Sequence, residues 1–409
     1  MSLGEEHVAF IRWCESQGIK IHGVSPAGIP GRRLGMIATR RISAGETIVT
    51  VPLVAMLTID SVPPSFVRMF SKATPLHAIL AAFFTHGDPV LLEKWEYWRR
   101  VWPLRHDFEK SLPLFWSEML PANESILPPS VSGSWSFRNK KPEDIEYGSR
   151  YTNILSHQKK RLQDAWSEVL LVFPHTDWNF FSYNWLILNT RSFFYVSPEK
   201  DEPEDWNDAI ALVPFADYFN HDDKAPCEVN FNGEYYTFKA SRRFEKGEEL
   251  FISYGSHSND FLLVEYGFLL DDNKSDAIFL DDIVLPELAT ANKKELLSRQ
   301  LYGDYKVTSS GFCNRTKAAA CMKYMTNDQW RDYILGRSQG VENRTASVLH
   351  DWIGAYLKKS MTSIKILEDM QLRPRSESQY WEKDRIDILL RRWNQIRVLC
   401  VEASKAISS

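Results

Sequence analysis

The 409-residue chain is poor in cysteine: five are scattered along it, and none stands in a Cys-x-x-Cys pair. That pattern excludes a disulfide framework and a thiolate zinc knuckle, and it fits reduced thiols and no structural metal. Long apolar runs are also missing. No stretch approaches the roughly 20 residues of a membrane span, and the N-terminus has no basic-plus-apolar leader. A cytoplasmic location, with the nucleus as a second compartment, is the resulting expectation. The Asn-x-Ser/Thr triplets at Asn123, Asn273, Asn314 and Asn343 are then chance matches. Charge of one sign is lacking as well. A net charge of −4 sets up no field that favours nucleic acid or a membrane surface, so neither is expected as a direct partner.

What is present is ordinary in bulk and distinctive in detail. Hydrophobic residues make up 44% and charged residues 25%, as in a soluble globular chain long enough for two or three domains. Fourteen tryptophans point to broad aromatic cores or grooves. Residues 7–17 place Phe10, Trp13 and Cys14 at helical spacing, and Gly18 stops the helix. Strand-like runs follow up to Pro52. One segment recurs: Ala38-Thr39-Arg40-Arg41-Ile42, with Gly45-Glu46 and Ile48, is echoed by Ala240-Ser241-Arg242-Arg243-Phe244, with Gly247-Glu248 and Leu250. The Gly-Glu turns predict two similar hairpins.

From about Ile59 to Phe181 the character is helical. Residues 76–84, 91–102 and 154–173 are apolar at helical spacing, and the polar stretch 130–148 reads as loop. Near the C-terminus Ile386, Leu389, Leu390, Trp393, Ile396 and Leu399 form one helical stripe, flanked by Arg391, Arg392 and Arg397.

The chemistry-bearing residues concentrate between Ile210 and Phe268. The apolar run Ile210 to Phe215 ends in Asp217, Asn220 and His221, and the run Glu249 to Ile252 ends in Ser253, Tyr254 and Gly255. Buried strands that deliver polar groups at their ends place chemistry on a rigid support. Taken alone, Asn220 and His221 could equally cap a turn.

Taken together, Asn220-His221, Ile252-Ser253-Tyr254-Gly255 and Glu265-Tyr266-Gly267-Phe268 resemble the signature of SET-domain protein methyltransferases. Thr190-Arg191-Ser192-Phe193 upstream and Leu34-Gly35 near the N-terminus belong to the same pattern. Within that family the chain is similar to the branch of the Rubisco large-subunit lysine methyltransferase and of fungal methyltransferases acting on ribosomal and translation proteins. The resemblance implies an α+β fold, with small twisted β-sheets split by a helical insertion and followed by an all-helical C-terminal domain that holds protein substrates. The corresponding divisions are 1–58, 59–181, 182–281 and 282–409.

It also implies a monomer that uses S-adenosyl-L-methionine to methylate a lysine of a ribosomal or translation protein. On the resemblance, Tyr254 is the catalytic tyrosine and touches the cofactor. Asn220 and His221 hold the cofactor's amino-acid and adenine ends, Arg191 pairs with its carboxylate, and the loop Arg32-Arg33-Leu34 faces it. Tyr266 and Phe268 wall the lysine channel and the adenine pocket. Thr190 and Asp217 line the channel through backbone oxygens, with Phe193 beside them. Arg33 stands where the family usually has a second loop glycine, and Thr190 where it usually has serine. Two alternatives stay open: a catalytically weak SET module that binds a translation protein as a scaffold, and a histidine methyltransferase. In histidine-methylating relatives the positions of Phe193 and Ala216 tend to be Asn and Trp; here both are apolar. Arg191 as a surface ion pair and Phe268 as a core residue also remain open.

Overall fold

A computed structural model describes residues 3–29, 34–116, 126–133, 149, 151–197, 208–338, 342–372 and 380–408. They fall into two units, Met1–Phe108 with Lys160–Ser256, and Glu109–Lys159 with His257–Ser409. This division departs from cuts at 59, 182 and 282, because the helical insertion is shared between the units. Helix Leu76–His86 buries nearly every side chain from His77 to Phe84, so it needs close neighbours, and it packs on helix Trp178–Arg191 within the first unit. Residues 109–159 belong to the second unit.

The first unit holds the sheets. One has the order β1 (Lys20–Ile21), β4 (Thr47–Pro52), β9 (Tyr235–Ala240), β8 (Cys227–Phe231), all antiparallel. Another has the order β2 (Val24–Gly28), β3 (Leu34–Ala38), β10 (Glu249–Ile252), β7 (Asn220–His221), with the last pair parallel. A third joins β5 (Ser192–Phe194) to β6 (Ile210–Leu212). Alternation sets the faces: along β9, Tyr236, Phe238 and Ala240 are buried while Tyr235 and Lys239 are exposed.

The repeated Arg-Arg/Gly-Glu segments are not two hairpins. Each turn carries the chain from one sheet to the other, from β3 to β4 and from β9 to β10, and the copies pair with each other. Ala38 N–H donates to the Glu248 carbonyl (2.9 Å) while Ala240 N–H donates to that of Glu46 (3.0 Å), and Ile42 bridges Phe244. Gly45 and Gly247 sit at φ +81° and +90°, a left-handed conformation that glycine adopts without strain. Arg40–Glu46 and Arg242–Glu248 are matching ion pairs. A repeated turn signal identifies a turn and leaves the partner strand open; pairing the copies buries both.

Helix Glu5–Ser16 buries Phe10, Trp13 and Cys14. The helical run expected over 91–102 is broken into Pro89–Leu92, a 3-10 turn Glu93–Trp95 and Glu96–Arg99. Leu92, Trp95 and Trp98 are all buried, and a turn of three residues stacks side chains three apart on one face.

The second unit is built on helices Glu342–Gln371 and Tyr380–Ser408, which pack along each other. Ile386, Leu389, Trp393, Ile396 and Leu399 enter its core, as their spacing predicts. The unit also carries a small sheet, β11 (Ile278–Phe279), β12 (Lys306–Thr308) and β13 (Gly311–Phe312), so two strands join the helices after residue 282. Arg392, read as a flank of the stripe, is fully buried: its Nε donates to Asp260 (2.6 Å) and its Nη1 to Asp276 (2.7 Å). Within the expected loop 130–148, Ser130 to Ser132 are helical, and 134–148 lie outside the described residues.

Candidate active site

The site grows from the parallel pairing of β7 with β10, where Asn220 faces Phe251 and His221 faces Ile252. Both strands end there, so their last polar groups meet. Asn220 Nδ2 donates to the Leu34 carbonyl (3.0 Å) and to Glu249 Oε1 (2.8 Å), tying β7 across β10 to β3. Gly35 is where these groups crowd: a Cβ would lie 2.8 Å from Asn220 Nδ2 and would also strike the Glu249 carboxylate. Buried His221 accepts the Tyr254 N–H at Nδ1 (3.1 Å). The same Nδ1 lies 3.3 Å from the Ile252 carbonyl, which can only accept, so the two contacts call for different tautomers. Burial pulls the pKa of His221 below its ordinary value, so the ring is neutral at pH 7. The His221 and Tyr254 rings stack at 5.0 Å.

The Tyr254 hydroxyl donates to the Phe219 carbonyl at 2.6 Å. Burial pushes it up to about 12, so it stays protonated and works as a donor throughout the neutral range. Phe219 follows a short turn, Ala216–Tyr218, entered through Phe215 at φ 70°. A buried phenylalanine at positive φ is strained, and such strain collects where a backbone is held for a purpose. That turn aims Asp217 at Arg191, whose Nη1 donates to both the Asp217 carbonyl (2.9 Å) and its Oδ2 (3.1 Å). Trp98 Nε1–H donates to the same Oδ2 (3.1 Å). Burial raises the Asp217 pKa above the usual carboxylate range, against the pull of Arg191 and Trp98. Among the described residues, buried Arg191 Nε and Ser192 Oγ have no hydrogen-bond partner. A guanidinium edge with an unused donor beside an unused hydroxyl suits a carboxylate.

The family model "SET domain" matches residues 33–255, more than half of the chain. The chain belongs to the SET-domain family. A ribosomal lysine N-methyltransferase, set11 of Schizosaccharomyces pombe, is 28% identical over 218 residues, 53% of this chain and 54% of that protein. An actin-histidine N-methyltransferase of Drosophila melanogaster is 25% identical over 66% of this chain and 50% of that protein. The chain thus spans about half the length of these curated relatives. Among solved structures, the SET domain of LSMT bound to lysine and AdoHcy aligns over 100% of this chain and 92% of that one, with a TM-score of 0.62 at 15% identity. That likeness establishes the fold.

Within the SET domain three pairs are made: Arg191 with Asp217, Asn220 with Leu34, and Tyr254 with His221, the last two held together by the pairing of β7 with β10. Thr190 and Phe193 flank Arg191. Thr190 Oγ1 bonds back to the Leu186 carbonyl (2.8 Å), and Phe193 meets Tyr236 and Phe238 edge-on. Asp217, expected to line a channel through its backbone oxygen, accepts Arg191 Nη1 at both that oxygen and its carboxylate, and so anchors the guanidinium. Tyr266 and Phe268 belong to the second unit, where their rings lie 6.2 Å apart and Gly267 caps helix Asn259–Tyr266 at φ 80°. Arg32 and Arg33 lie outside the described residues. Four contributors were missed. Trp98 and Glu249 could have been noticed, one as a member of the series Trp95, Trp98, Trp102 at helical spacing and the other as an acid opening an apolar strand. Phe215 and Phe219 act through the backbone and leave no signal.

Proposed function

We propose that this chain transfers a methyl group from S-adenosylmethionine to a lysine side chain of a protein, and that the substrate is a ribosomal or translation protein. The observation that carries the reading is the meeting of His221 and Tyr254 at the ends of two parallel strands, near enough to Arg191 for its charge to bear on the Tyr254 hydroxyl, with Arg191 Nε unpartnered among the described residues. The residues fit the cofactor. Arg191 Nε and Ser192 would take its carboxylate, while Asn220, His221 and the backbone at Leu34 would hold the rest. When bound, S-adenosylmethionine supplies the methyl group on a cationic sulfur. The chain's task is then to orient the nucleophile, where positioning contributes most of the rate. Tyr254, whose one O–H goes to the Phe219 carbonyl and whose ring stacks on His221, would hold that orientation by accepting an amine N–H at its hydroxyl oxygen. Pushed up to about 12, the hydroxyl keeps its own proton at neutral pH and has no vacancy for the lysine proton.

Lysine is favoured over histidine by the surroundings of Phe193 and Ala216. The first packs among aromatic rings and the second is buried, so neither offers an imidazole a hydrogen bond. Neutralising a free lysine at pH 7 costs about 4.6 kcal/mol, from a pKa of about 10.4 and about 1.36 kcal/mol per unit. A histidine is mostly neutral already. The test is single-turnover methylation of a cell extract with labelled S-adenosylmethionine from pH 7 to 9, by the native protein and Tyr254→Phe, with the mark located by mass spectrometry. The native rate should keep climbing to pH 9 with the mark on lysine, and the variant should lose about a hundredfold while keeping its melting temperature. A plateau near pH 7 with a methylated imidazole would reverse the residue assignment, and an active variant would remove Tyr254 from its role.

A further inference from the structure

Resting on that reading of the cofactor site, we propose that Trp98 is a positioning residue for the cofactor's carboxylate, acting through Asp217 on Arg191. The indole is fully buried, and its orientation is set by neighbours. Phe10, from helix Glu5–Ser16, stacks on it within 5° of parallel at 6.3 Å, and Trp95 and Trp102 each lie 5.9 Å away. Its Nε1–H therefore points one way, to Asp217 Oδ2 at 3.1 Å. The same oxygen accepts Arg191 Nη1 at 3.1 Å, and the carboxylate is 5% exposed. A buried carboxylate oxygen shared by two donors cannot rotate without losing both, so the Arg191 guanidinium is held by one edge while its Nε stays unused. Packing alone asks for an aromatic ring at this place; the nitrogen is needed only for Asp217.

The charged and titratable groups that bear on Asp217 are Arg191, His7 and Cys14 from helix Glu5–Ser16, Tyr218 beside it, and Tyr254 from the end of β10. Burial keeps Cys14 and the tyrosines neutral and lowers His7, so among the described residues Arg191 is the cation bearing on the carboxylate at pH 7. Removing the indole N–H leaves the carboxylate more willing to take a proton, which in turn loosens Arg191.

Two variants separate nitrogen from ring: Trp98→Phe, and the native chain carrying benzothienylalanine at position 98, which keeps the bicyclic shape and deletes only the N–H. Carbon-13 NMR of aspartate-labelled protein follows the Asp217 carboxyl, identified by its absence in Asp217→Asn, and calorimetry follows S-adenosylmethionine binding. Either variant should raise the Asp217 midpoint by about one pH unit and weaken binding about tenfold at pH 7, with a larger loss at pH 6. An unmoved midpoint overturns the proposal, whether or not the melting temperature falls. If the native protein binds no S-adenosylmethionine, the functional reading falls, while the midpoint still decides whether Trp98 governs Asp217.

Discussion

Each unit of the chain sets an arginine against aspartate, and the two clusters differ in burial and in charge. Arg392 is 0% exposed and lies between two carboxylates, Asp260 and Asp276; Arg191 is 23% exposed and has one, Asp217. Among the described residues each leaves one nitrogen without a partner, Nη2 in the first case and Nε in the second. An unsatisfied donor therefore does not mark a binding site by itself. The charge count separates the two. The Arg392 cluster already carries one negative charge in excess and repels a further anion, whereas the Arg191 pair is neutral and partly exposed, as the proposed carboxylate site requires. Burial lowers the Arg392 pKa, but its two carboxylates outweigh that and hold it above the ordinary value. A guanidinium so held is a fixed part of the fold.

The comparison breaks most visibly at Arg392. Arg392→Met strands two buried carboxylates and should cost about 3–5 kcal/mol, read as early unfolding of the second unit in urea by tryptophan fluorescence. A loss below about 1 kcal/mol would place it in the same class as Arg191. Arg191→Lys should do the reverse. It keeps the charge but loses the planar fork, so S-adenosylmethionine affinity by calorimetry should fall about tenfold to a hundredfold while stability changes by less than about 1 kcal/mol. Equal losses in both measurements would erase the distinction. The smallest effect is expected at Asp217→Asn. Because burial raises the Asp217 pKa in the folded state, its contribution to stability falls as pH rises from the ordinary carboxylate value through the raised one. The amide escapes that penalty, so thermal unfolding should show a gain of up to about 1 kcal/mol at pH 8 and less at pH 5, alongside weaker cofactor binding. A loss of more than about 2 kcal/mol at pH 8 would make Asp217 a stabiliser like Asp260.

The same contrast shows what could be read from the sequence. Asn220, His221 and Tyr254 stood out because polar groups closing apolar runs are conspicuous, and their partners are the adjoining strand ends. Arg392 did not stand out. It neighbours Trp393 on the stripe, and the residues that decide its burial, Asp260 and Asp276, lie more than a hundred positions away. The Gly-Glu turns were visible as turns, yet periodicity two fixes faces and not partners, so the exchange of strands between copies was not. Asp217 was legible as a polar strand-end residue. That it serves Arg191 depends on a carbonyl and on a tryptophan from another helix, which no local pattern encodes.

The mutual pairing of the two Arg-Arg/Gly-Glu segments has a consequence for how the chain can vary. Joining Ala38 to Glu248 and Ala240 to Glu46 closes the intervening polypeptide into one large loop, with the whole helical insertion inside it. Closure entropy grows only logarithmically, about 0.6 kcal/mol for each doubling of length, so lengthening or trimming the enclosed helices barely changes the equilibrium that knits the two sheets. Kinetics carries the burden instead: neither copy can complete its sheet until the other arrives from far along the chain, which makes this knot of hydrogen bonds a late and slow event in folding.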